Sequence, residues 1–147
     1  MRAVIQRVTS ATVQVGGAEV GAIGGGLLVY LSVAPTDTPA TAAACAKKLS
    51  TLRLFADEAG KMSRSVVDTV GEILVVSQFT LHATLDGTRP SFSRAASPEH
   101  AEPIYRAVQH ELIARGVRVQ TGQFGAHMIV RSTNDGPVTL LLAIDED

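Results

Sequence analysis

The chain has 147 residues, 46% of them hydrophobic and 18% charged, with a formal net charge of −1 at pH 7. These totals fit a globular domain with a substantial core and exclude a disordered tail. They also exclude a strong electrostatic footprint for non-specific binding along nucleic acid, while leaving local basic patches open.

Cys45 is the one cysteine and lies in the run Ala42-Ala43-Ala44-Cys45-Ala46. It has no partner for an internal disulfide and reads as a small core residue of a protein from a reducing compartment. The amino terminus intersperses Val4 and Val8 with Arg2, Gln6 and Arg7, which is not the apolar run of a signal peptide. No window reaches the roughly 18 apolar residues of a membrane span. A soluble, cytoplasmic protein with no membrane partner is expected.

Residues Ala3 to Thr9 and Ala11 to Val15 read as strands, and Gly16-Gly17 followed by Ala18 to Ile23 as a hairpin. Gly24-Gly25-Gly26 leads into the buried strand Leu27 to Val33. No Gly-Lys-Ser/Thr follows the glycines and they enter a strand, so they read as a turn and not a phosphate loop. Thr38-Pro39 is an N-cap followed by proline at the first helical position, and Ala42, Cys45, Leu49 and Leu52 share one helical face. Arg53-Leu54-Phe55 is expected as a strand and Asp57 to Gly60 as its turn. Lys61, Ser63, Arg64 and Ser65 form a hydroxyl-rich basic segment, which is either a phosphate contact or a solvated loop.

Gly71 precedes the run Ile73-Leu74-Val75-Val76, a strand buried on both faces that breaks into Ser77-Gln78-Phe79-Thr80-Leu81. The polar cluster supplies two hydroxyls and an amide at a strand end, where a fold can hold them rigidly. His82 to Ala96 reads as a polar loop in which Arg89 and Arg94 flank Phe92, a combination suited to a phosphate and a base. Ser97-Pro98 opens a second helix whose face carries Ala101, Ile104, Tyr105, Val108 and Leu112 and which ends at Gly116, with Pro103 disturbing its first turn. Val117 to Thr121, Met128 to Ser132 and Val138 to Ile144 complete the strands, with Gly122 to Ala126 as a turn. The expected fold is mixed α/β, a largely antiparallel sheet or barrel-like core with two covering helices.

His82, His100, His110 and His127 have no second ligand at zinc spacing, and no Gly-x-Ser-x-Gly elbow surrounds Ser77. No metal and no cofactor are expected. Asn134-Asp135-Gly136-Pro137 is a turn whose Gly-Pro bond could be cis, although a trans turn entering the last strand is the plainer reading.

Ser77-Gln78-Phe79-Thr80-Leu81 together with Asn134-Asp135-Gly136-Pro137-Val138-Thr139, on a chain opening Met1-Arg2-Ala3-Val4-Ile5-Gln6-Arg7-Val8, resembles the D-aminoacyl-tRNA deacylase family. The similarity also takes in Gly71 to Val76, Arg89-Pro90-Ser91-Phe92 and Thr121-Gly122-x-Phe124-Gly125-Ala126, so residues 1–147 are expected as one such domain. The resemblance implies a homodimeric hydrolase that cleaves the ester between a D-amino acid and the 3′ terminal adenosine of tRNA, a proofreading activity extending to glycine on alanine tRNA. It implies a cis Gly136-Pro137 whose carbonyls project into the partner subunit's site, with Arg7 holding that element. It assigns the catalytic pocket to Ser77, Gln78, Phe79 and Thr80, and substrate binding and chiral selection to Gly136, Pro137, Arg7, Phe124, Ala126 and Met128. His82 and His127 depart from the family pattern. Two other readings stand beside it: a non-catalytic module for RNA ends, motivated by Lys61, Arg64, Arg89 and Arg94, and a generic serine or threonine esterase.

Overall fold

The computed structural model describes residues 1–144. Ten strands and two helices follow one another as β1 (Arg2–Val15), β2 (Ala18–Ile23), β3 (Gly26–Ser32), α1 (Pro39–Thr51), β4 (Phe55–Ala56), β5 (Met62–Arg64), β6 (Glu72–Ser77), β7 (Thr84–Asp86), β8 (Arg89–Ser91), α2 (Pro98–Ala114), β9 (Arg118–Thr121) and β10 (Ile129–Ala143). A 3-10 turn, Phe79–His82, follows β6 directly.

The main sheet runs β10-β1-β3-β6-β9, with β2 also paired to β1. β1 is antiparallel to β10, β2 and β3, whereas β3, β6 and β9 are mutually parallel neighbours. The sheet curls until β2 approaches β9. A Cβ added to Gly21 would lie 2.4 Å from the Thr121 carbonyl oxygen, so only glycine permits this near closure into a barrel.

Both faces of the central strands are covered, which explains their continuous apolar runs. Leu27, Val29 and Leu31 of β3 and Ile73 and Val75 of β6 pack against the helices, through Ala42, Cys45 and Leu49 of α1 and Ile104, Tyr105, Val108 and Leu112 of α2. Leu28, Leu74 and Val76 face the other way and join Val8, Ala11, Val13 and Ile23 inside the barrel. Cys45 is fully buried, and that burial pushes its thiol up to about 12, a core residue and not a nucleophile. Pro103 lies within α2 without ending it.

One buried ion pair ties the chain's start to this core. The Met1 α-ammonium donates to Asp37 Oδ1 at 2.9 Å, with the two side chains 1% and 2% exposed. Asp37 Oδ2 accepts from the Ala34 N–H at 2.7 Å, and its carbonyl oxygen accepts from His100 Nε2 at 2.8 Å.

Four expectations need correction. Arg53 and Leu54 are not in a strand; only Phe55 and Ala56 pair, with β5. The segment after Leu81 is not a plain loop, since β7 and β8 form a short hairpin across Asp86–Arg89. Ala3–Thr9 and Ala11–Val15 are one strand. The two strands expected at Met128–Ser132 and Val138–Ile144 are likewise one long strand, β10, which leaves out Met128 and Ile144, because β1 pairs with it on both sides of the Asn134–Pro137 segment.

Among the described residues no helix is long and apolar enough to cross a membrane.

Candidate active site

The three parallel strands end on one side of the molecule, where their carboxyl ends leave a crevice. There β3 supplies Tyr30 to Val33 and β6 supplies Val76 and Ser77. The 3-10 turn adds Gln78 and Phe79, and the turn after β9 adds Phe124 to Met128, around a cavity of about 520 Å³. Ala101 and Tyr105 of α2 close the floor. The Tyr105 hydroxyl donates to the Val75 carbonyl oxygen at 2.8 Å, which anchors the helix to β6 beneath the pocket. Burial holds this phenol well above its ordinary range, so it acts as a fixed donor and not as a base.

Ser77, Gln78, Phe79, Phe124, Ala126 and Met128, all expected from the sequence, line this cavity together. Thr80 sits one residue beyond the lining, with its Oγ1 accepting from Gln78 Nε2. A carboxamide is neutral and cannot take a proton from a threonine hydroxyl, so this pairing does not activate Thr80 as a nucleophile. The Gln78 N–H donates to the Leu31 carbonyl oxygen at 2.8 Å, extending the β3–β6 ladder to the start of the turn. Beyond it, no backbone carbonyl among the described residues accepts from the N–H of Phe79 or Thr80. Two adjacent amide donors at the open end of a 3-10 turn form the kind of site that stabilises a developing oxyanion.

Sequence reasoning passed over Tyr30 and Ser32 because both lie within an apolar strand and carry no motif. Phe92 meets Phe79 edge-on at the mouth, with ring centroids 5.2 Å apart, and both rings are substantially exposed. His127 lines the cavity and is exposed.

Arg7, Gly136 and Pro137 do not line this cavity. They form a second feature on β10. Gln6 pairs with Thr139 and Val8 with Asn134, so four residues, Asp135 to Val138, oppose the single residue Arg7. The excess chain leaves the ladder as a protrusion. Asn134 closes its base: Oδ1 accepts from the Val138 N–H at 2.8 Å, and Nδ2 donates to Thr139 Oγ1 at 3.1 Å. Gly136 adopts φ +137, and the Gly136-Pro137 bond is cis, as the resemblance implied and unlike the plainer trans turn. Arg7 braces the protrusion through Nε, which donates to the Asp135 carbonyl oxygen at 3.1 Å, while Nη1 donates to the Leu54 carbonyl oxygen at 2.6 Å.

The basic segment after α1 is used internally. Ser63 Oγ donates to Asp57 Oδ2 at 2.7 Å, and Arg64 Nη2 donates to the Asp68 carbonyl oxygen at 3.0 Å. These bonds hold turns together and leave the phosphate reading without support there.

A barrel-like sheet with a pocket at its strand ends and two adjacent backbone amides left without acceptors among the described residues is an arrangement able to bind and polarise an ester carbonyl, as an ester hydrolase requires. The family described as D-Tyr-tRNA(Tyr) deacylase matches residues 4–143. A D-aminoacyl-tRNA deacylase of Deinococcus deserti is 55% identical over 145 residues, spanning 98% of this chain and 99% of that one. One from Thermus aquaticus is 52% identical over 147 residues, covering 99% and 97%. Among solved structures, one described as c-Myc DNA Unwinding Element Binding Protein superposes with a TM-score of 0.91 at 44% identity, covering 97% of this chain and 98% of that chain. A probable eukaryotic D-amino acid tRNA deacylase shares the fold, with a TM-score of 0.86 at 18% identity over 96% of this chain and 97% of that one. The chain belongs to the D-aminoacyl-tRNA deacylase family and is an enzyme of that class.

Proposed function

We propose that this enzyme removes D-amino acids, and glycine mischarged on alanine tRNA, from the 3′ terminal adenosine of tRNA as a cytoplasmic homodimer. The observation that carries this reading is the pair of adjacent amides at Phe79 and Thr80, which find no acceptor among the described residues, beside the pocket. An aminoacyl ester is already activated, so orientation and oxyanion stabilisation suffice, with the RNA's own 2′-hydroxyl and a water supplying the chemistry. The exposed Phe79 and Phe92 rings at the mouth suit stacking against the terminal base.

The homodimer reading draws on the edge strand β10. Leu141 is 85% exposed and Ile129 46% exposed on a long unpaired edge, which proteins ordinarily cover. A second copy covering this edge would carry its Gly136-Pro137 protrusion toward the neighbouring pocket. Two rigid carbonyls beside the substrate α-carbon would leave room for hydrogen and clash with an L side chain. Each tenfold of such rejection corresponds to about 1.4 kcal/mol, within reach of one steric clash. Glycine has hydrogen on both sides and would pass.

The test is deacylation of D-tyrosyl-, L-tyrosyl- and glycyl-tRNA by the purified enzyme. Release from the D and glycyl substrates and not from the L substrate is expected; equal turnover of D and L would sink the chiral reading. In the same assay Thr80→Ala keeps activity within about tenfold of the parent, the loss expected from disturbing a turn and not a nucleophile. Complete loss with intact folding and tRNA binding would restore Thr80 as the nucleophile.

A further inference from the structure

Ser32 ends β3 at 1% exposure, and His82 closes the 3-10 turn at 3% exposure. Ser32 Oγ lies 3.2 Å from the Phe79 carbonyl oxygen and 2.5 Å from His82 Nδ1. A serine hydroxyl has one proton to give. If Ser32 donates it to Phe79, His82 must present Nδ1–H to the serine oxygen. The opposite direction, Ser32 donating to a bare Nδ1, withdraws the hydroxyl from the Phe79 carbonyl. Only the first arrangement makes hydrogen bonds of both Ser32 contacts, and their low-dielectric surroundings favour it.

The Phe79 carbonyl and the Thr80 N–H belong to one trans peptide, since among the described residues only Gly136-Pro137 is cis. In a planar trans peptide the C=O and N–H point in opposite directions. Pinning the oxygen against β3 therefore turns the Thr80 N–H away from β3. The Leu31 carbonyl holds the Gln78 N–H at 2.8 Å, so the turn is fixed on both sides of Phe79.

We propose that His82 and Ser32 are positioning residues for deacylation: His82 Nδ1–H orients the Ser32 hydroxyl, which locks the Phe79–Thr80 peptide with its N–H preorganised for the oxyanion of the ester. This rests on the reading of the Phe79–Thr80 amides as the oxyanion site. His82 does not line the cavity, and Ser32, which borders it at 1% exposure, has its hydroxyl engaged by Phe79 and His82. Their contribution is the cost the enzyme avoids by not reorienting that peptide during reaction.

Two measurements test it. In wild-type protein with 15N-labelled histidine, the His82 ring carries a proton on Nδ1; a bare Nδ1 with protonated Nε2 overturns the proposal without any variant. In single-turnover deacylation of D-tyrosyl-tRNA, Ser32→Ala and His82→Leu each lower the saturated rate about tenfold while half-saturation moves less than about twofold. The double variant loses no more than the worse single one, as for two groups acting in series. His82→Asn, whose Nδ2 donates from near the Nδ1 position, stays within about threefold of the parent. Unchanged rates in folded Ser32→Ala and His82→Leu, multiplying losses, or His82→Asn as slow as His82→Leu overturn it. Phe79→Pro, which removes a pocket amide, separates the two readings. If it too keeps the parental rate, the oxyanion site itself is misplaced; if it alone is slow, only the positioning role fails.

Discussion

Arg7 Nε donates to the Asp135 carbonyl oxygen at 3.1 Å and lies 3.5 Å from the Asp135 carboxylate. The same guanidinium donates to the Leu54 carbonyl oxygen at 2.6 Å, so one side chain joins the protrusion on β10 to the segment after α1. A planar fork can serve two acceptors in fixed directions, and a lysine ammonium on a flexible stem cannot reproduce that geometry. Arg7→Lys should therefore lower kcat/KM for D-tyrosyl-tRNA about tenfold, or about 1.4 kcal/mol, while the protein stays folded. Steady-state deacylation beside a thermal melt checks this, and parental kinetics would remove Arg7 from the bracing role.

The Met1–Asp37 pair makes a prediction about stability. Asp37→Ala leaves the α-ammonium buried without its counter-charge and also frees the Ala34 N–H. Breaking one partner of a buried pair costs about 3–5 kcal/mol. Urea denaturation should register that loss with an unchanged slope, and Tm should fall by roughly 10 °C for a chain of this size. A loss below about 1 kcal/mol would mean the amine finds water at little cost.

Acid stability should depend on two exposed turns. Asp57 lies below its ordinary range because it accepts from Ser63 Oγ and the Lys61 and Ala59 N–H groups. Asp68 lies low because it accepts from the Ser65 N–H, with help from the Ser65 hydroxyl. Both carboxyls bind protons more weakly folded than unfolded. Their stabilisation is therefore complete above the unfolded value of about 4 and is lost as pH falls through the lower folded value. Thermal melts of Asp57→Asn should show a shallower fall in Tm below about pH 4 than the parent; parallel curves would contradict this.

Much of the fold could be read from the sequence because its signals are local. The Thr38-Pro39 start and the spacing of Ala42, Cys45 and Leu49 define α1 without any knowledge of the sheet. The failures share a different cause. Arg53-Leu54 looks like a strand, yet the Leu54 carbonyl is taken by Arg7, a partner 47 positions away that no window reveals. Asn134 to Pro137 carry turn chemistry inside one strand because β1 pairs on both sides of them. The β7–β8 hairpin has three residues per strand, too few for periodicity.

The site divided in the same way. Ser77 to Thr80 stood out as an abrupt change from apolar to polar. Which backbone amides they leave open, and the Ser32–His82 contact, depend on how β3 and the turn meet in space.

The central claim is that each pocket is completed by Gly136-Pro137 of a second copy. Mixing two defective variants tests it most directly. Gly136→Val is blocked at the protrusion, where an added Cβ would already lie 2.9 Å from Val138 Cγ2 and 3.1 Å from the Val138 nitrogen. Phe79→Pro is defective in the pocket. If the site is shared between subunits, a mixed dimer holds one pocket and one protrusion that are both intact. Random reassortment of equal amounts should then restore about a quarter of the parental D-tyrosyl-tRNA deacylation from two variants that are inactive alone. No restoration, with mixed dimers demonstrably formed, would place both elements in a single chain's site and contradict the account.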